Sequence, residues 1–317
     1  MNADTYRSEV VNVVRIDENI DTLGPFSATM AQKLPHVDIL VLKDGRWMSE
    51  RMHFQIFLQL GIAFQATTNL KLCEVHFPSL AVFGRLISAL PRLTNLVCWD
   101  LEFSSSSFKP GCIYTRKGLA LTRIELQGSG QVVEFLASTS MCNGLRHITF
   151  KDYNKTCGPA YQRLVDQAKT SLRSMDIRQS FILGDRNVIP LDLSSVVNLE
   201  RISLDMSAHE LERQSLKRAA TLLKVLPAKL REIKITLYSF TLRKWYLEDL
   251  LSTFDTLPCT QIDRNLSGPS YTKLTEVTFE FLACIHLADV RRVPAESAWR
   301  EHLMSIFPRL HDKKLLR

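Results

Sequence analysis

Apolar residues along this chain recur in two alternating rhythms. In residues 78–103, PSLAVFGRLISALPRLTNLVCWDLEF, one set of apolar positions is separated by steps of three and four, as on one face of an α-helix. These positions are Leu80, Phe83, Leu86, Ile87 and Leu90. Ser79 can cap such a helix at its start, and Pro91 ends it. Beyond the proline the rhythm becomes L-x-x-L-x-L, whose last part alternates as a β-strand does. The stretch predicts a helix followed by a strand.

The strand rhythm occurs ten times, at intervals of 24 to 31 residues except for a final interval of 44. It covers residues 11–16, 37–42, 67–72, 93–98, 121–126, 145–150, 172–177, 199–204, 230–235 and 274–279. This is the period of leucine-rich repeats, in which each helix and strand bury their apolar faces against neighbouring repeats. The sequence therefore predicts an α/β fold in one domain over residues 1–317: a right-handed leucine-rich-repeat solenoid, or horseshoe. About ten repeats would place a parallel β-sheet on the concave face and helices on the convex face.

The segments between the strands mostly have the composition of helices. Helical spacing is found in Ser49–Gln65, Gln131–Ser138, Pro159–Lys169, His209–Leu226 and Arg243–Leu257. Two segments, 104–118 and 258–270, contain Ser, Pro and Gly and are predicted to be inserted loops. Residues 183–196 contain few periodic apolar positions and are predicted to form a short, turn-rich connection. Residues 295–317 are predicted to cap the C-terminal end, with a closing helix over Ala295–Phe307.

Composition limits the class of protein. The 317 residues are 45% hydrophobic, which is sufficient for a large core. The net charge is +7, but no run of more than two basic residues occurs outside residues 309–317. A basic surface that binds nucleic acid is therefore an alternative and not the leading hypothesis. Seven cysteines, with no C-x-x-C pair, indicate reduced thiols. Because no secretion signal and no apolar run of about 18 residues is found, a cytoplasmic or nuclear location is predicted.

Motifs that carry chemistry are missing from the sequence. It contains no phosphate-binding loop, no G-x-G-x-x-G, no H-E-x-x-H and no G-x-S-x-G, and its eight histidines are scattered singly. We therefore expect no enzyme activity, no cofactor and no metal site. An enzyme with an active site in the 104–118 or 258–270 segment remains as an alternative.

One residue in each strand lies between the paired apolar positions and should face solvent on the sheet. We call these ten residues the central row: Arg15, Val41, Lys71, Val97, Glu125, Thr149, Asp176, Ser203, Lys234 and Thr278. Both charge signs and apolar residues occur among them, which suits a protein partner better than a phosphate backbone. The alternative is an exposed surface without a binding role.

Two stretches resemble a known family. Residues 70–103, LKLCEVHFPSLAVFGRLISALPRLTNLVCWDLEF, and residues 307–317, FPRLHDKKLLR, resemble the leucine-rich-repeat region of F-box proteins of mushroom-forming (basidiomycete) fungi. In that family the repeats hold a target protein, and an N-terminal F-box docks the Skp-type adaptor of a cullin-type ubiquitin ligase. The resemblance implies a substrate adaptor of a ubiquitin ligase, with an unidentified target protein as partner.

The N-terminal residues depart from that family. Residues 1–36 lack a Leu-Pro-x-Glu-like helix start, and Leu34-Pro35-His36 leads directly into a strand. No F-box is therefore predicted, and binding of the Skp-type adaptor is not expected. The leading hypothesis is a non-enzymatic protein–protein interaction module, F-box-like in ancestry. The alternatives are a truncated paralogue and a general leucine-rich-repeat scaffold with no ubiquitin role.

Overall fold

The computed structural model describes residues 11–30, 33–34, 36–48, 55–105, 119–153, 158–179, 191–207, 213–239, 257–283 and 295–317. The chain divides into two compact units, Met1–Leu145 (unit 1) and Arg146–Arg317 (unit 2). Each unit is an α/β structure with a five-stranded parallel sheet among its described residues. All ten strands predicted from the L-x-x-L-x-L rhythm are present, so the α/β class with parallel strands is confirmed.

Unit 1 alternates strands and helices. Its elements are β1 (Val13–Asp17), α1 (Leu23–Met30), β2 (Ile39–Lys43), α2 (Ile56–Ala63), β3 (Asn69–Cys73), β4 (His76–Ser79), α3 (Leu80–Ala89), β5 (Asn95–Trp99), β6 (Glu102–Ser105), β7 (Arg123–Gln127) and α4 (Gly130–Ala137). The main sheet has the order β1-β2-β3-β5-β7, and β4 pairs with β6 in a separate parallel ribbon. Parallel neighbours require a crossover between strands, and the intervening helices are part of these crossovers.

The strands of unit 1 align without offset, which stacks their leucines. Leu70 lies between Leu40 and Leu96 in the register, and every one of these side chains is fully buried. Helix α3 buries Phe83 and Leu86 on one face, as its spacing predicts. Its start is also as predicted, because the hydroxyl of Ser79 accepts the N–H of Val82 at 3.4 Å. The repeat thus buries one face of each strand and one face of each helix.

A left-handed residue follows each strand of the main sheet in unit 1. Four of these residues are acidic and the fifth is glycine: Glu18, Asp44, Glu74, Asp100 and Gly128, with φ between 51° and 60°. The N–H of each acidic residue still donates to the last carbonyl of the next strand, at 2.8 to 3.0 Å. The chain therefore turns away from the sheet without losing a ladder hydrogen bond.

Unit 2 has longer strands and ends in two helices. Its elements are β8 (His147–Tyr153), α5 (Gly158–Ala168), β9 (Ser174–Gln179), β10 (Arg201–Ser207), α6 (Arg213–Leu223), β11 (Glu232–Ser239), α7 (Leu257–Leu266), β12 (Glu276–Ala283), α8 (Glu296–Ile306) and α9 (Pro308–Asp312). The strands are parallel, in the order β8 to β12. The predicted closing helix is α8, and its Leu303 is buried. After α9, Leu316 forms a parallel bridge to Val277 and covers the edge of β12.

The prediction of a loop over residues 258–270 is wrong. Leu257–Leu266 is helix α7, and Pro269–Tyr271 adds a turn of 3-10 helix. Cys259, Ile262 and Leu266 follow helical spacing and are buried, and Pro258 lies in the first turn, where its missing N–H has no helical partner to lose. The polar residues that suggested a loop are mostly the solvent side of this amphipathic helix.

The loop predicted over 104–118 begins too early, because Ser104 and Ser105 belong to β6. Residues 106–118 lie outside the described residues. So do most of the predicted helix Arg243–Leu257 and part of the connection predicted over 183–196.

Candidate partner-binding surface

The part of the central row in unit 1 forms a continuous line across the sheet. Each residue is the register partner of the next, in the order Arg15, Val41, Lys71, Val97 and Glu125. Their side chains are exposed or half-buried, while the leucines on either side along the strands are mostly buried. The structure thus brings together residues that are 26 to 30 positions apart in sequence. Their role in binding stays a prediction.

The part of the central row in unit 2 forms a second line. Thr149, Asp176, Ser203, Lys234 and Thr278 are successive register partners. The hydroxyl of Thr149 donates to Asp176 Oδ2 at 3.2 Å, and Lys234 Nζ lies 2.8 Å from Glu280 Oε1. These interactions join neighbouring strands, so the polar side chains are held in defined positions on the sheet.

Trp99 adds an aromatic side chain that the central row does not include. It lies two residues beyond Val97 on β5, on the same face, and is half-buried. Its indole Nε1–H donates to Glu125 Oε1 at 3.0 Å. Since the indole N–H has a partner on the sheet, a contact through the ring would not leave that donor unsatisfied, and tryptophan commonly serves at interfaces in this way. Because side chains alternate between the two faces of a strand, the pattern L-x-C-x of Leu96–Trp99 already predicts that Trp99 shares the face of Val97.

Arg178, Asp205 and Tyr238 form a cluster on three adjacent strands of unit 2, here called the Tyr238 cluster. Arg178 Nη2 donates to the Tyr238 hydroxyl at 2.9 Å, and that hydroxyl donates to Asp205 Oδ2 at 3.2 Å. The Arg178 guanidinium also lies 4.8 Å from the centre of the tyrosine ring. Leu282, the register partner of Tyr238, is 47% exposed beside the cluster.

The Tyr238 cluster is electrically balanced. Partial burial lowers the pKa of Arg178, but the hydrogen bond that Arg178 donates to Tyr238 and the charge of Asp205 outweigh burial, so the pKa is raised overall. The arginine therefore stays charged and is paired with Asp205. Arginine and tyrosine held in fixed positions lose little conformational entropy on binding, and both are enriched among residues that dominate interface energies. Sequence alone did not identify the cluster, because its members come from three repeats.

A Ser–His–Glu contact lies on the β4–β6 ribbon of unit 1. The Nε2 atom of His76 is 2.6 Å from the Ser104 hydroxyl, and its Nδ1 atom is 3.4 Å from Glu102 Oε2. The order matches nucleophile, base and acid in hydrolases. However, the Glu102 side chain is 78% exposed, so water screens its charge and competes for the imidazole. This geometry serves better as a polar link between β4 and β6.

Comparisons with known proteins add no family. No known family model matches the chain, and no curated protein matches it. Within the described ranges, no three His, Cys, Asp or Glu side chains converge as metal ligands. None of the described helices has the length and hydropathy needed to cross a membrane.

Proposed function

We propose that this protein is a leucine-rich-repeat solenoid that binds a protein partner through the exposed faces of its sheets. The observation that carries the proposal is the unbroken register of the central row within each unit. Five parallel strands at about 4.8 Å spacing present a line of about 20 Å, which matches an extended segment of about six residues. Trp99 provides an anchor beside the line in unit 1, and the Tyr238 cluster provides one beside the line in unit 2.

We further propose that the chain descends from substrate-recognition subunits of cullin-type ubiquitin ligases. The support is the resemblance of residues 70–103 and 307–317 to F-box leucine-rich-repeat proteins. The chain by itself is expected not to retain the Skp-type adaptor in a pull-down, because residues 1–36 have no F-box pattern. Strong retention of the adaptor would contradict this expectation.

The experiment for partner binding compares variants in quantitative affinity capture from the source cells. Trp99→Ala and Tyr238→Ala remove the two anchors. The control is Leu257→Ala, because Leu257 is the most exposed large apolar side chain described and lies on helix α7. A partner captured by the wild-type chain and by the control should fall about tenfold with at least one anchor variant.

Two outcomes would contradict partner binding through the sheets. One is a set of captured proteins that neither anchor variant changes, with both variants folded by circular dichroism. The other is a loss of capture confined to Leu257→Ala.

The specific alternative is an enzyme that uses Ser104, because its hydroxyl contacts His76. A serine-reactive fluorophosphonate probe should not label the native chain above the level of a Ser104→Ala variant. Labelling that disappears in the variant would favour the enzyme.

A further inference from the structure

The turns that lead into strands β8 to β11 of unit 2 enclose a pocket of about 260 Å³. Its lining includes Arg146, Thr170, Arg173, Asn198, Glu200 and Lys229, here called the basic pocket. The backbone fixes these residues at strand spacing: Arg173 N–H donates to Arg146 O at 2.9 Å, and Glu200 N–H donates to Arg173 O at 2.8 Å. The sheet therefore sets the separation of the charged groups before any ligand arrives.

Positive charge in the basic pocket exceeds negative charge by two. Arg146, Arg173 and Lys229 are cationic, and Glu200 is the single carboxylate in the lining. The Arg173–Glu200 pair is loose, with 3.9 Å between Nη1 and Oε1. Among the described residues, Arg146 and Lys229 form no ion pair. Three exposed cations share a single carboxylate and repel one another, and a bound anion would relieve that repulsion.

Asn198 holds part of the pocket in place. Its side-chain amide donates to the carbonyl of Thr170 at 2.7 Å, and its Oδ1 accepts from Lys229 Nζ at 2.7 Å. An ammonium group has three donors, so Lys229 keeps two for a ligand while its position is fixed. A preorganised cation costs less conformational entropy on binding than a freely moving one.

Basic residues near the C-terminus of a helix often serve its free carbonyls, and helix α5 ends at this pocket. Two of the last carbonyls of α5 already have backbone partners. The N–H groups of Ser171 and Leu172 donate to Ala168 O at 2.9 and 2.8 Å, and the N–H of Lys169 donates to Asp166 O at 3.4 Å. These two carbonyls therefore do not require the cations of the basic pocket.

We propose that the basic pocket binds the phosphoryl group of a phosphorylated serine or threonine on the protein partner. This proposal rests on the proposed function and specifies its partner further. A phosphoserine carries about −1.5 to −2 charges near neutral pH, which matches the uncompensated charge of the pocket. The planar guanidinium groups of Arg146 and Arg173 suit phosphate oxygens, since arginine donates two parallel hydrogen bonds to such groups.

The surroundings favour one phosphoryl group over a nucleic acid. Next to the pocket, Glu232 and Glu276 are register partners on β11 and β12. Arg201 and Arg317 lie within 3.4 Å of these carboxylates and neutralise them. A polyanionic backbone would have to pass over this mixed surface, whereas a single phosphorylated side chain reaches only the pocket.

The test is isothermal titration calorimetry on the full chain with N-acetyl-O-phosphoserine methylamide as the probe and the unphosphorylated compound as reference. We expect binding of the phosphorylated probe alone, weakened about tenfold or more by Arg146→Gln with Arg173→Gln. The matched control is Lys217→Gln with Lys224→Gln, which removes the same charge from exposed positions in and after α6. Equal binding by wild-type and pocket variants, or no binding by the wild-type chain, would overturn the proposal.

The Glu200→Gln variant gives a test in which binding of the probe is expected to increase. Removing the single carboxylate should strengthen binding of the phosphoserine probe several-fold, because its repulsion of the phosphate disappears. Unchanged or weaker binding would count against the proposal. Salt-sensitive binding of a single-stranded RNA oligonucleotide that the Arg146 and Arg173 changes abolish would overturn it in favour of a nucleic-acid ligand.

Phosphatase treatment separates this proposal from partner binding itself. In one outcome, partner capture is unchanged after dephosphorylation of the lysate and still falls with Trp99→Ala or Tyr238→Ala. This result would contradict only the proposal that the basic pocket binds phosphate. Capture that neither anchor variant changes would contradict the proposed function. Calorimetry would still measure whether the basic pocket binds the phosphoserine probe.

Discussion

Single residues decide where the main-sheet strands of unit 1 end. Four of the five strand-ending positions place an acidic residue in the left-handed region, where a side chain costs about 1 kcal/mol or more. Aspartate tolerates this conformation better than most residues. The fifth position is Gly128, whose φ is +57°. A Cβ atom at Gly128 would collide with the carboxylate of Asp100, which accepts from Gln127 at 3.3 Å. Gly128 therefore avoids both the cost of a side chain at this φ and a clash with the Asp100 carboxylate.

Gly128→Ala should lower the free energy of unfolding by about 1 to 2 kcal/mol, because alanine is strained at this φ and displaces Asp100. Urea denaturation followed by circular dichroism measures the change. Gly144→Ala is the control: its Cβ atom would lie 3.7 Å from Leu121 O, an ordinary contact, and the expected change is less than about 1 kcal/mol. Equal losses in the two variants would contradict the explanation.

Between elements, one buried carboxylate connects two helices of unit 2. Asp263 on α7 is 4% exposed, and its two oxygens accept the N–H groups of Arg309 and Leu310 at 3.3 and 3.0 Å. These are N–H groups in the first turn of α9, which have no partner within their own helix. Asp263 therefore caps α9 from a neighbouring helix and fixes the C-terminal segment that covers β12.

Asp263→Ala should cost about 2 kcal/mol of stability, since it leaves buried N–H groups without an acceptor. Asp263→Asn keeps one acceptor oxygen and should cost less than about half of that loss. Both are measured by denaturant unfolding, with Asp312→Ala as the control because Asp312 is exposed on α9. A loss as large in the asparagine variant as in the alanine variant would show that charge, and not hydrogen bonding, matters here.

At the scale of the whole molecule, each unit contains groups whose pKa is raised by burial. In unit 1, burial raises the pKa of Cys142 to about 12 and raises that of Cys98 as well. In unit 2, burial raises the pKa of Tyr271 to about 12. When unfolded, a cysteine ionises near 9.0 and a tyrosine near 10.0. The unfolded chain thus releases these protons at lower pH than the folded protein.

Stability should therefore be highest below about pH 9 and fall as pH rises toward 12. For Cys142 the loss is about 1.4 kcal/mol for each pH unit in this window. Urea unfolding at pH 8, 9 and 10 measures it. Cys142→Ala should flatten the pH dependence of unit 1, and Tyr271→Phe that of unit 2. A free energy of unfolding that stays constant between pH 8 and pH 10 would contradict the prediction.

The sequence predicts the strands well but not the second ribbon of unit 1. Ten strands follow from L-x-x-L-x-L because alternation is a local property of the chain. The pair β4 and β6 has too little alternation to be recognised. It forms because consecutive repeats bring Phe77 and Phe103 into register, with their rings stacked at 5.8 Å. The sequence does not predict helix α7 for a different reason: its buried apolar residues are few among many polar ones.

The sequence by itself determined the repeat period, the buried face of each strand and the central row, since burial follows the spacing of apolar residues. Only the tertiary structure decided which exposed side chains meet. The members of the Tyr238 cluster are 27 and 33 residues apart, and the residues of the basic pocket come from four successive turns. Such groupings depend on strand register, which the packing of whole repeats fixes and no local pattern contains.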